Sequence, residues 1–342
     1  MDIVIVGFGN IGQTVFRLTR KIHPKIWVRG IVTRNPVRAI RDGAPENLVV
    51  GTERGSRMMS LLAKKSDVAI LCGGSKADLP VQGPYWAGLA NTVDSFDTHD
   101  HVGEYLDEET GLPRIGYFRQ MDLVAKATGH TALVCQGWDP GLFSNMRALF
   151  QAVLGEGVRS YAFYGLTKTG GLSMGHSDAI RSIPGVVDAR QFTHAKPEAI
   201  EWVRAGENPV FTPGDMHWRQ CIVATESVDS RERERIREAI IGMPGYFAPF
   251  QTEVEFVLQE ELYHRFPGMP HDGLVIAKSD NGLMEFRVEW QSNAEATARI
   301  LLAAARATCN FQQAGRVGAF SSLAVASGHL FFESEEEMLH FV

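Results

Sequence analysis

The sequence predicts an α/β fold in which a doubly wound parallel sheet is followed by a second, α+β domain. Two observations lead to this prediction. From residue 1 to about 137, short apolar and β-branched runs alternate with helical segments, which is the pattern of parallel strands joined by crossover helices. After Trp138 strand-like runs dominate with fewer helices between them, which is typical of a mixed and mostly antiparallel sheet.

The periodicity assigns elements to both regions. In the first we predict strands at 3–6, 26–32, 68–72, 91–94 and 131–135, and helices at 11–22, 57–64, 80–89 and 117–128. In the second we predict strands at 158–164, 188–193, 219–226, 252–257, 273–277 and 284–290, and helices near 142–154, 177–182, 197–204 and 231–240. Segments 36–55 and 103–116, rich in charge, Gly and Pro, are expected to be surface insertions. An alanine-rich helix at 295–308 should return to the first domain, so the predicted domains are 1–137 with 295–342, and 138–294.

The composition is that of an ordinary globular protein. Of 342 residues, 44% are hydrophobic and 22% charged, and a net charge of −6 gives no reason to expect a nucleic-acid or membrane partner. Apolar runs fall short of the ~18 residues of a membrane span, and a strand starting at Asp2 leaves no room for a signal peptide. Four widely spaced cysteines are interpreted as free thiols, so a cytoplasmic location is expected. The spacing of His, Cys and Asp forms no metal-ligand set, and no metal is predicted.

A glycine-rich turn near the amino terminus predicts a dinucleotide site. The segment Gly7-Phe8-Gly9-Asn10-Ile11-Gly12 follows the apolar run Ile3–Val6 and precedes a helical pattern. In such a turn Gly7 allows a tight bend, Gly9 lets the backbone approach a pyrophosphate, and Gly12 lets the helix lie close to the strand. The helix start then favours a bound phosphate, as in a Rossmann-type domain. The alternative is a glycine-rich β–α turn without a ligand.

The next two strand ends indicate which dinucleotide is bound. The second strand ends in Thr33-Arg34, where an NAD site would carry an acidic residue for the ribose 2′-hydroxyl. A hydroxyl and a guanidinium suit a 2′-phosphate, so NADP is favoured over NAD; the alternative is that Arg34 is a solvated loop charge. The third strand ends in Cys72-Gly73-Gly74-Ser75, small residues that suit close passage of the cofactor. Cys72 itself is interpreted as a buried small hydrophobe rather than a reactive thiol.

Two carboxylates follow neighbouring strand ends. Asp97 comes after the strand that ends at Asp94, and Asp139 comes after the strand that ends at Cys135. Ligands meet an open parallel sheet at the carboxyl ends of its strands. Paired carboxylates in a cleft suit an ammonium group or proton transfer to an amine. Either alone is more often an N-cap, and Asp139 before Pro140 has that alternative.

Several long motifs, in order along the chain, resemble those of the meso-diaminopimelate dehydrogenase family. They are the GxGNxG turn, Thr92-Val93-Asp94 with Asp97 and His99, Gly137-Trp138-Asp139-Pro140-Gly141, the GHSDA segment from Gly175, Ile183-Pro184-Gly185-Val186, His217-x-Arg219-Gln220-Cys221, and Met269-Pro270-His271. The resemblance covers residues 1 to about 325. It implies NADP-dependent, reversible oxidative deamination of the D-centre of meso-2,6-diaminopimelate to L-2-amino-6-oxopimelate and ammonia, in lysine biosynthesis. It also implies a homodimer with a substrate-binding and dimerisation domain.

The resemblance also implies residue roles. Asp97 and Asp139 contact the reacting D-amine as catalytic residues, and Trp138 walls that pocket. The loop of Ser173, Met174 and Gly175 lies near the D-carboxylate. Thr193, Arg219 and His271 hold the distal L-carboxylate, and Asn293 holds the distal end as well. The cofactor is bound by the glycine turn, Thr33, Arg34, residues 72–75 and Asp94.

The chain also departs from the family pattern. Met174 stands where many members carry Gln, Asn35 stands where a second Arg is common, and Thr167-Lys168-Thr169-Gly170 and the segment before Gly116 contain extra residues. Met174 keeps a broader NADP-dependent D-amino-acid dehydrogenase as an alternative function. A non-catalytic NADP-sensing protein is a further alternative, opposed by the retention of Asp97, Asp139 and Arg219. His176 is interpreted as a structural hydrogen-bonding residue.

Overall fold

The computed structural model describes residues 1–22, 24–107, 110–332 and 335–342. The chain divides into two compact units. The first consists of Met1–Asn145 and Ala294–Val342, and the second of Met146–Asn293. None of the described helices is both long enough and apolar enough to cross a membrane.

The first unit is built on a seven-stranded parallel sheet with the order β16-β8-β5-β4-β1-β2-β3. Its strands are β1 (Asp2–Val6), β2 (Trp27–Thr33), β3 (Val49–Gly51), β4 (Val68–Leu71), β5 (Thr92–Asp94), β8 (Thr131–Leu133) and β16 (Gly318–Phe320). Its helices are α1 (Asn10–Ile22), α2 (Pro36–Arg41), α3 (Gly55–Ala63), α4 (Leu79–Ala87), α5 (Tyr117–Thr128), α12 (Asn293–Gln313) and α13 (Glu335–Met338). This is the predicted doubly wound, Rossmann-type architecture.

Both faces of this sheet are buried, which explains why its central strands are continuously apolar. On one face Ile3 and Ile5 pack with α1 and with the alanine-rich α12. On the other face Val4 and Val6 pack with α3, α4 and α5. Small side chains let α12 lie close to the sheet. The helix predicted at 295–308 lies within α12.

Two parts of this sheet were not predicted. The segment 36–55 is not only a surface insertion, because it contains α2 and the edge strand β3, and because Ala39 and Ala44 are buried in the core. The strand β16 at the other edge pairs with β8 and was missed as well. Each of these strands is three residues long, too short for a period of two to be recognised. The segment 103–116 does lie at the surface, where its described residues form the hairpin β6 (Tyr105–Leu106) and β7 (Pro113–Arg114).

The second unit contains two sheets. One has the order β10-β11-β12-β13 and the other the order β15-β14-β9. The strands are β9 (Ser160–Tyr164), β10 (Gly171–Ser173), β11 (Val186–Ala195), β12 (His217–Thr225), β13 (Gln251–Val257), β14 (His271–Ser279) and β15 (Gly282–Trp290). The helices are α6 (Leu142–Leu154, which begins in the first unit), α7 (Met174–Arg181), α8 (Pro197–Arg204), α9 (Pro213–Met216), α10 (Ser230–Ile241) and α11 (Gln259–Arg265). All described pairings except β12 with β13 are antiparallel, as predicted for a mixed sheet.

Candidate active site

The turn between β1 and α1 depends on its three glycines in different ways. Gly7 has φ +94°, a region that side chains rarely adopt. A Cβ on Gly12 would lie 2.1 Å from the carbonyl oxygen of Gly7, so α1 can start this close to the turn only without a side chain there. A Cβ on Gly9 would meet no atom within 4 Å. The turn therefore leaves open space for a phosphate beside the helix N-terminus.

The apolar side chains of this turn anchor it to the core. Phe8 is buried and meets Phe16 edge to face, with ring centroids 6.2 Å apart. Ile11 packs on the same core from the helix, whereas Asn10 is exposed. With Phe8 and Ile11 facing inward, contact with a phosphate is left to the backbone.

At the end of β2, Arg34 forms an ion pair with Asp78. Its Nη1 lies 3.2 Å from Oδ1 of Asp78, and its side chain is 75% exposed. The other carboxylate oxygen of Asp78 accepts the N–H of Gly74 at 3.0 Å. Because an exposed ion pair contributes little to stability, Arg34 can turn to an incoming phosphate at small cost.

Thr33 and Asn35, on either side of Arg34, are tied into the local fold. The Thr33 hydroxyl accepts the N–H of Asn35 at 3.2 Å, and the Asn35 side chain caps α2 by accepting the N–H of Arg38 at 3.0 Å. Such a cap typically contributes about 1 kcal/mol. The residue that stands in place of a second arginine therefore has a structural role.

The loop after β4 connects the glycine turn with the first carboxylate. Burial raises the pKa of the Cys72 thiol to about 12, so this side chain is protonated and unreactive, as predicted. A Cβ on Gly73 would lie 2.7 Å from the Cβ of Asp78, so a side chain at this position would require the chain around Asp78 to shift. The Ser75 hydroxyl accepts the N–H of Asp97 at 3.0 Å. Ser75 thus positions the loop that carries Asp97.

Asp97 is solvent-exposed and yet surrounded by many protein atoms, as in a concave surface. Desolvation by these atoms raises the pKa of its carboxyl group, while hydrogen bonding to Ser75 and the charge of His99 oppose that rise. A carboxylate in such a setting binds an ammonium group more strongly than a fully hydrated one does.

Asp139 lies in the loop that links β8 to α6. The loop is closed by hydrogen bonds from the N–H of Gly137 to the carbonyl of Pro140 at 2.9 Å and from the N–H of Leu142 to the carbonyl of Gly137 at 3.0 Å. Trp138 is buried and meets Phe143 edge to face, with centroids 5.1 Å apart. Since β5 and β8 are adjacent and parallel, Asp97 and Asp139 both follow the carboxyl edge of the sheet, as the strand order predicted.

In the second unit three of the candidate residues, Ser173, Thr193 and Arg219, share one face of the four-stranded sheet. Gly171, Thr193 and Arg219 are direct neighbours across β10, β11 and β12, and Ser173 lies two residues farther along β10. Residues two apart on a strand point to the same side, so these side chains belong to one surface. Farther along this face α7 and α10 cover the sheet through a core that includes Cys221, Val223 and Ile236.

Arg219 is a cation without a carboxylate partner among the described residues. Its Nη1 donates to the hydroxyl of Thr193, its guanidinium carbon lies 4.0 Å from the ring centroid of Phe250, and its Nε is buried without a hydrogen-bond partner. Desolvation lowers the pKa of Arg219 to about 10. An incompletely paired guanidinium against an aromatic ring is prepared to bind an anion, and a carboxylate matches its fork geometry.

Three histidines lie within electrostatic reach of Arg219: His217 and His271 are buried, and His176 is half-buried. Burial, with a smaller contribution from the Arg219 charge, lowers the pKa of His176 and of His217 to about 3 and that of His271 to about 4. The hydrogen bonds are consistent with neutral rings: Nε2 of His217 accepts the N–H of Tyr164 at 3.0 Å and therefore carries no proton. Nδ1 of His271 lies 3.1 Å from the carbonyl oxygen of Asp272, an acceptor, so it carries the proton. In the neutral ring of His271, Nε2 is then a hydrogen-bond acceptor.

The remaining candidates lie around the start of α7. Ser173 caps this helix, and its hydroxyl lies 2.6 Å from Nδ1 of His176. His176 therefore makes a structural hydrogen bond, as predicted. Met174 is half-buried and Gly175 exposed. Asn293 is buried and donates to the carbonyl of Leu172 at 3.5 Å, which joins the start of α12 to β10.

The lowered histidine pKa values predict acid sensitivity. Below the unfolded pKa of 6.5, the unfolded chain takes up protons at His176, His217 and His271 while the folded chain does not, so stability falls as the pH drops from about 6.5 toward 4. Each residue contributes at most about 1.4 kcal/mol per pH unit. Urea unfolding at several pH values should show this slope, flattened in His217→Gln and unchanged in the exposed control His264→Gln. Equal slopes in all three proteins would contradict the assignment.

Comparison with known proteins identifies the family of the chain. A family model of the diaminopimelic acid dehydrogenase C-terminal domain matches residues 137–295. Over 341 residues the chain is 38% identical to the meso-diaminopimelate D-dehydrogenase of Acetivibrio thermocellus, which covers 98% of this chain and 95% of that relative. The chain belongs to the meso-diaminopimelate D-dehydrogenase family.

Solved structures have the same fold. The structure of the Corynebacterium glutamicum DAP dehydrogenase in complex with DAP matches with a TM-score of 0.85 at 34% identity and covers 99% of this chain and 98% of that one. An engineered D-amino acid dehydrogenase bound to NADP+ matches with a TM-score of 0.83 at 33% identity, with coverages of 99% and 98%. The chain therefore matches the fold of these dehydrogenases over nearly its full length.

One assignment made from the family resemblance needs correction. Asp94 has no exposed surface, and its carboxylate accepts hydrogen bonds from the Tyr117 hydroxyl at 2.9 Å and from the N–H groups of Phe96 and Cys135 at 3.0 and 3.1 Å. Burial raises its pKa to about 6. Asp94 thus ties the ends of β5 and β8 together rather than facing a cofactor. Cys135, with φ +59°, turns the chain out of the sheet at this point.

Sequence reasoning also missed residues that contact the candidate site residues and the loops that carry them. They are Asp78, which pairs with Arg34, Tyr117, which holds Asp94, Phe250, which stacks on Arg219, and Asp272, which binds the backbone near residue 166. Of these four, only Asp272 could have been noticed in the sequence, because it is a charged residue at the start of the apolar run Gly273–Ala277. The other three are ordinary members of their helices and loops, and their partners are distant in sequence.

Proposed function

We propose that this protein catalyses the NADP-dependent, reversible oxidative deamination of the D-centre of meso-2,6-diaminopimelate, a step of lysine biosynthesis. Substrate, NADP+ and water give L-2-amino-6-oxopimelate, which cyclises to tetrahydrodipicolinate, together with ammonium, NADPH and a proton. The observation that carries the proposal is the Arg219 guanidinium, which is largely desolvated, stacked on Phe250 and without a carboxylate partner among the described residues. A second carboxylate on the substrate fits this residue. The names of the relatives support the same reaction.

The residues at the carboxyl edge of the first unit fit NADP. The open backbone at Gly9 and the start of α1 suit the pyrophosphate, and Arg34 suits the 2′-phosphate. When bound, NADP+ supplies the hydride acceptor. NADP+ in a solved relative of the same fold supports this choice. We assign this unit as the dinucleotide-binding domain.

We assign Asp97 and Asp139 to the reacting amine. Hydride can leave the α-carbon only when the nitrogen lone pair assists, so the substrate ammonium must first lose a proton. Two carboxylates at neighbouring strand ends can hold the ammonium, take up that proton and orient the water that later displaces ammonia. Trp138, buried beside Asp139, would keep bulk water from this end.

At the distal L-centre we assign the carboxylate to Arg219 and Thr193. The fork of Arg219 matches a carboxylate, and the Thr193 hydroxyl is already its hydrogen-bond partner. Neutral His271 presents an acceptor at Nε2, which suits the ammonium group on the same carbon better than the carboxylate. Anchoring this end selects which α-carbon reacts. Ser173, Met174 and Gly175 are assigned to the D-carboxylate, and Asn293 to the distal end.

Assembly and location are part of the proposal. From the family resemblance we propose a cytoplasmic homodimer in which the second unit binds substrate and forms the dimer contact. Light scattering on a size-exclusion column should give twice the chain mass, and a monomer mass would contradict this assignment.

One assay tests the reaction. NADPH formation should be rapid with meso-diaminopimelate, slower with the DD isomer and absent with the LL isomer, which has no D-centre. Failure with the meso isomer would refute the proposal. The second candidate, a broader D-amino-acid dehydrogenase, is favoured by the half-buried and adaptable side chain of Met174. Comparable turnover of D-amino acids with apolar tails would support it, and cofactor binding without any turnover would instead indicate an NADP sensor.

Cofactor preference gives a separate prediction. Replacing Arg34 with alanine should lower kcat/KM with NADP about tenfold or more, since a hydrogen bond to a charged group contributes about 1.5–3 kcal/mol, and should leave NAD unaffected. The matched control is Arg41→Ala, which removes another exposed arginine from the neighbouring helix α2. Initial rates with both cofactors provide the measurement. An equal loss with NADP and NAD would remove Arg34 from the 2′-phosphate site.

A further inference from the structure

The loop that contains Thr167–Gly170 is fastened to the rest of the second unit by Asp272. Asp272 is only 3% exposed. Its carboxylate accepts the N–H of Leu166 at 2.7 Å and the N–H of Thr167 at 3.0 Å, and its carbonyl oxygen accepts the N–H of Gly165 at 3.2 Å. Three consecutive backbone donors therefore end on one residue that lies more than a hundred positions away in sequence.

The same aspartate also orients His271. Its carbonyl oxygen lies 3.1 Å from Nδ1 of His271, which sets the ring orientation and leaves Nε2 as the acceptor. Asp272 thus binds the loop through its side-chain carboxylate. Its backbone carbonyl binds both the loop and the ring of His271.

Both ends of the 165–171 loop rest on candidate substrate-binding residues. A Cβ on Gly165 would lie 1.8 Å from the carbonyl oxygen of Thr193, and a Cβ on Gly171 would lie 2.8 Å from the ring of His271. The carbonyl of Gly165 accepts the N–H of Ala195 at 2.9 Å. The backbone at Gly165 and Gly171 therefore packs too closely on Thr193 and His271 for a side chain to fit between them, and the pairing of Gly171 with Thr193 and the Gly165–Ala195 hydrogen bond join the loop to the strand that carries Thr193.

We propose that Asp272 is a positioning residue for substrate: by clamping the 165–171 loop it holds Thr193 and His271 in the arrangement that binds the distal end of the substrate. This inference rests on the proposed function. The carboxylate is suited to the task because both of its oxygens accept backbone N–H groups, and charge-assisted hydrogen bonds are about twice as strong as neutral ones. An asparagine has one acceptor oxygen, and its NH2 group would face one of the loop donors.

The test is Asp272→Asn. We expect the KM for meso-diaminopimelate to rise about tenfold or more, the effect of losing one hydrogen bond to a charged group, while the KM for NADP stays within about twofold. The inhibition constant of L-2-aminopimelate, which keeps the distal L end and lacks the reacting amine, should rise by the same factor. The matched control is Asp280→Asn, an exposed aspartate at the far end of the same strand pair, and it should behave as wild type.

Unchanged constants, or equal losses for meso-diaminopimelate and NADP, would overturn the positioning role. Hydrogen exchange on the wild-type protein decides the matter if Asp272→Asn does not fold. The amides of Leu166 and Thr167 should exchange at least about tenfold more slowly than those of the exposed turn at Asp280, because they are bonded to a buried carboxylate; equal rates would refute the clamp. If wild type forms no NADPH from meso-diaminopimelate, the proposed function fails first, an outcome distinct from a failure of the clamp.

Discussion

Replacing Arg219 with methionine should reduce kcat/KM for meso-diaminopimelate by at least about tenfold and up to about a hundredfold, the loss expected for a charge-assisted pair of 1.5–3 kcal/mol. The same change should spare, or raise, activity on D-amino acids with an apolar tail, because such a tail would no longer be buried against a guanidinium. Methionine can still stack on Phe250, which lies 4.0 Å from the guanidinium carbon of Arg219, so packing is retained.

The measurement is the ratio of kcat/KM for meso-diaminopimelate to that for a simple apolar D-amino acid. Arg231→Met, at an exposed position on α10, is the matched control and should leave the ratio unchanged. An unaltered ratio in Arg219→Met would remove Arg219 from the substrate site. Removing this charge should also raise the pKa of His176, His217 and His271, since the Arg219 charge lowers all three, and NMR titration can follow that shift.

Replacing Asp97 or Asp139 with asparagine should lower kcat by at least about a hundredfold, the lower end of general acid–base effects. Each change keeps the shape of the side chain and removes the negative charge to which we assign the binding and deprotonation of the substrate ammonium. NADP affinity should be unaffected, because neither side chain belongs to the glycine turn or to the Arg34 site. In wild type, activity should fall as the pH drops, and the raised pKa of Asp97 places that fall above the ordinary aspartate range.

Steady-state kinetics and NADPH titration test both variants, with Asp100→Asn as the control for an exposed aspartate in the same segment. If the Asp97 and Asp139 variants turned over normally, the amine site would have to be placed elsewhere. If both lost NADP affinity together with kcat, the change would be one of folding rather than of chemistry.

The sequence alone determined the elements whose signals are local. The GxGxxG turn was recognisable because its three glycines, the preceding strand and the following helix lie within 22 residues. The parallel order of the first unit followed from the same alternation, which then placed Asp97 and Asp139 at neighbouring strand ends. Long motifs such as Gly137–Gly141 carried the family resemblance. Each of these signals depends on residues close together in the chain, so periodicity and backbone requirements can be recognised from the sequence.

The tertiary structure alone decided what depends on distant partners. Strands β3 and β16 are too short to show a period and exist because a neighbouring strand completes their hydrogen bonds. Asp94 was assigned to a cofactor from its position, but burial and three hydrogen bonds make it part of the framework. Arg219 stands out from the other arginines because its guanidinium is partly desolvated and packs on Phe250. Asp272 stands out because its carboxylate accepts the N–H groups of two loop residues that lie 105 and 106 positions away in the sequence. The free energy of a buried charge depends on its surroundings in three dimensions, and no local pattern of residues encodes it.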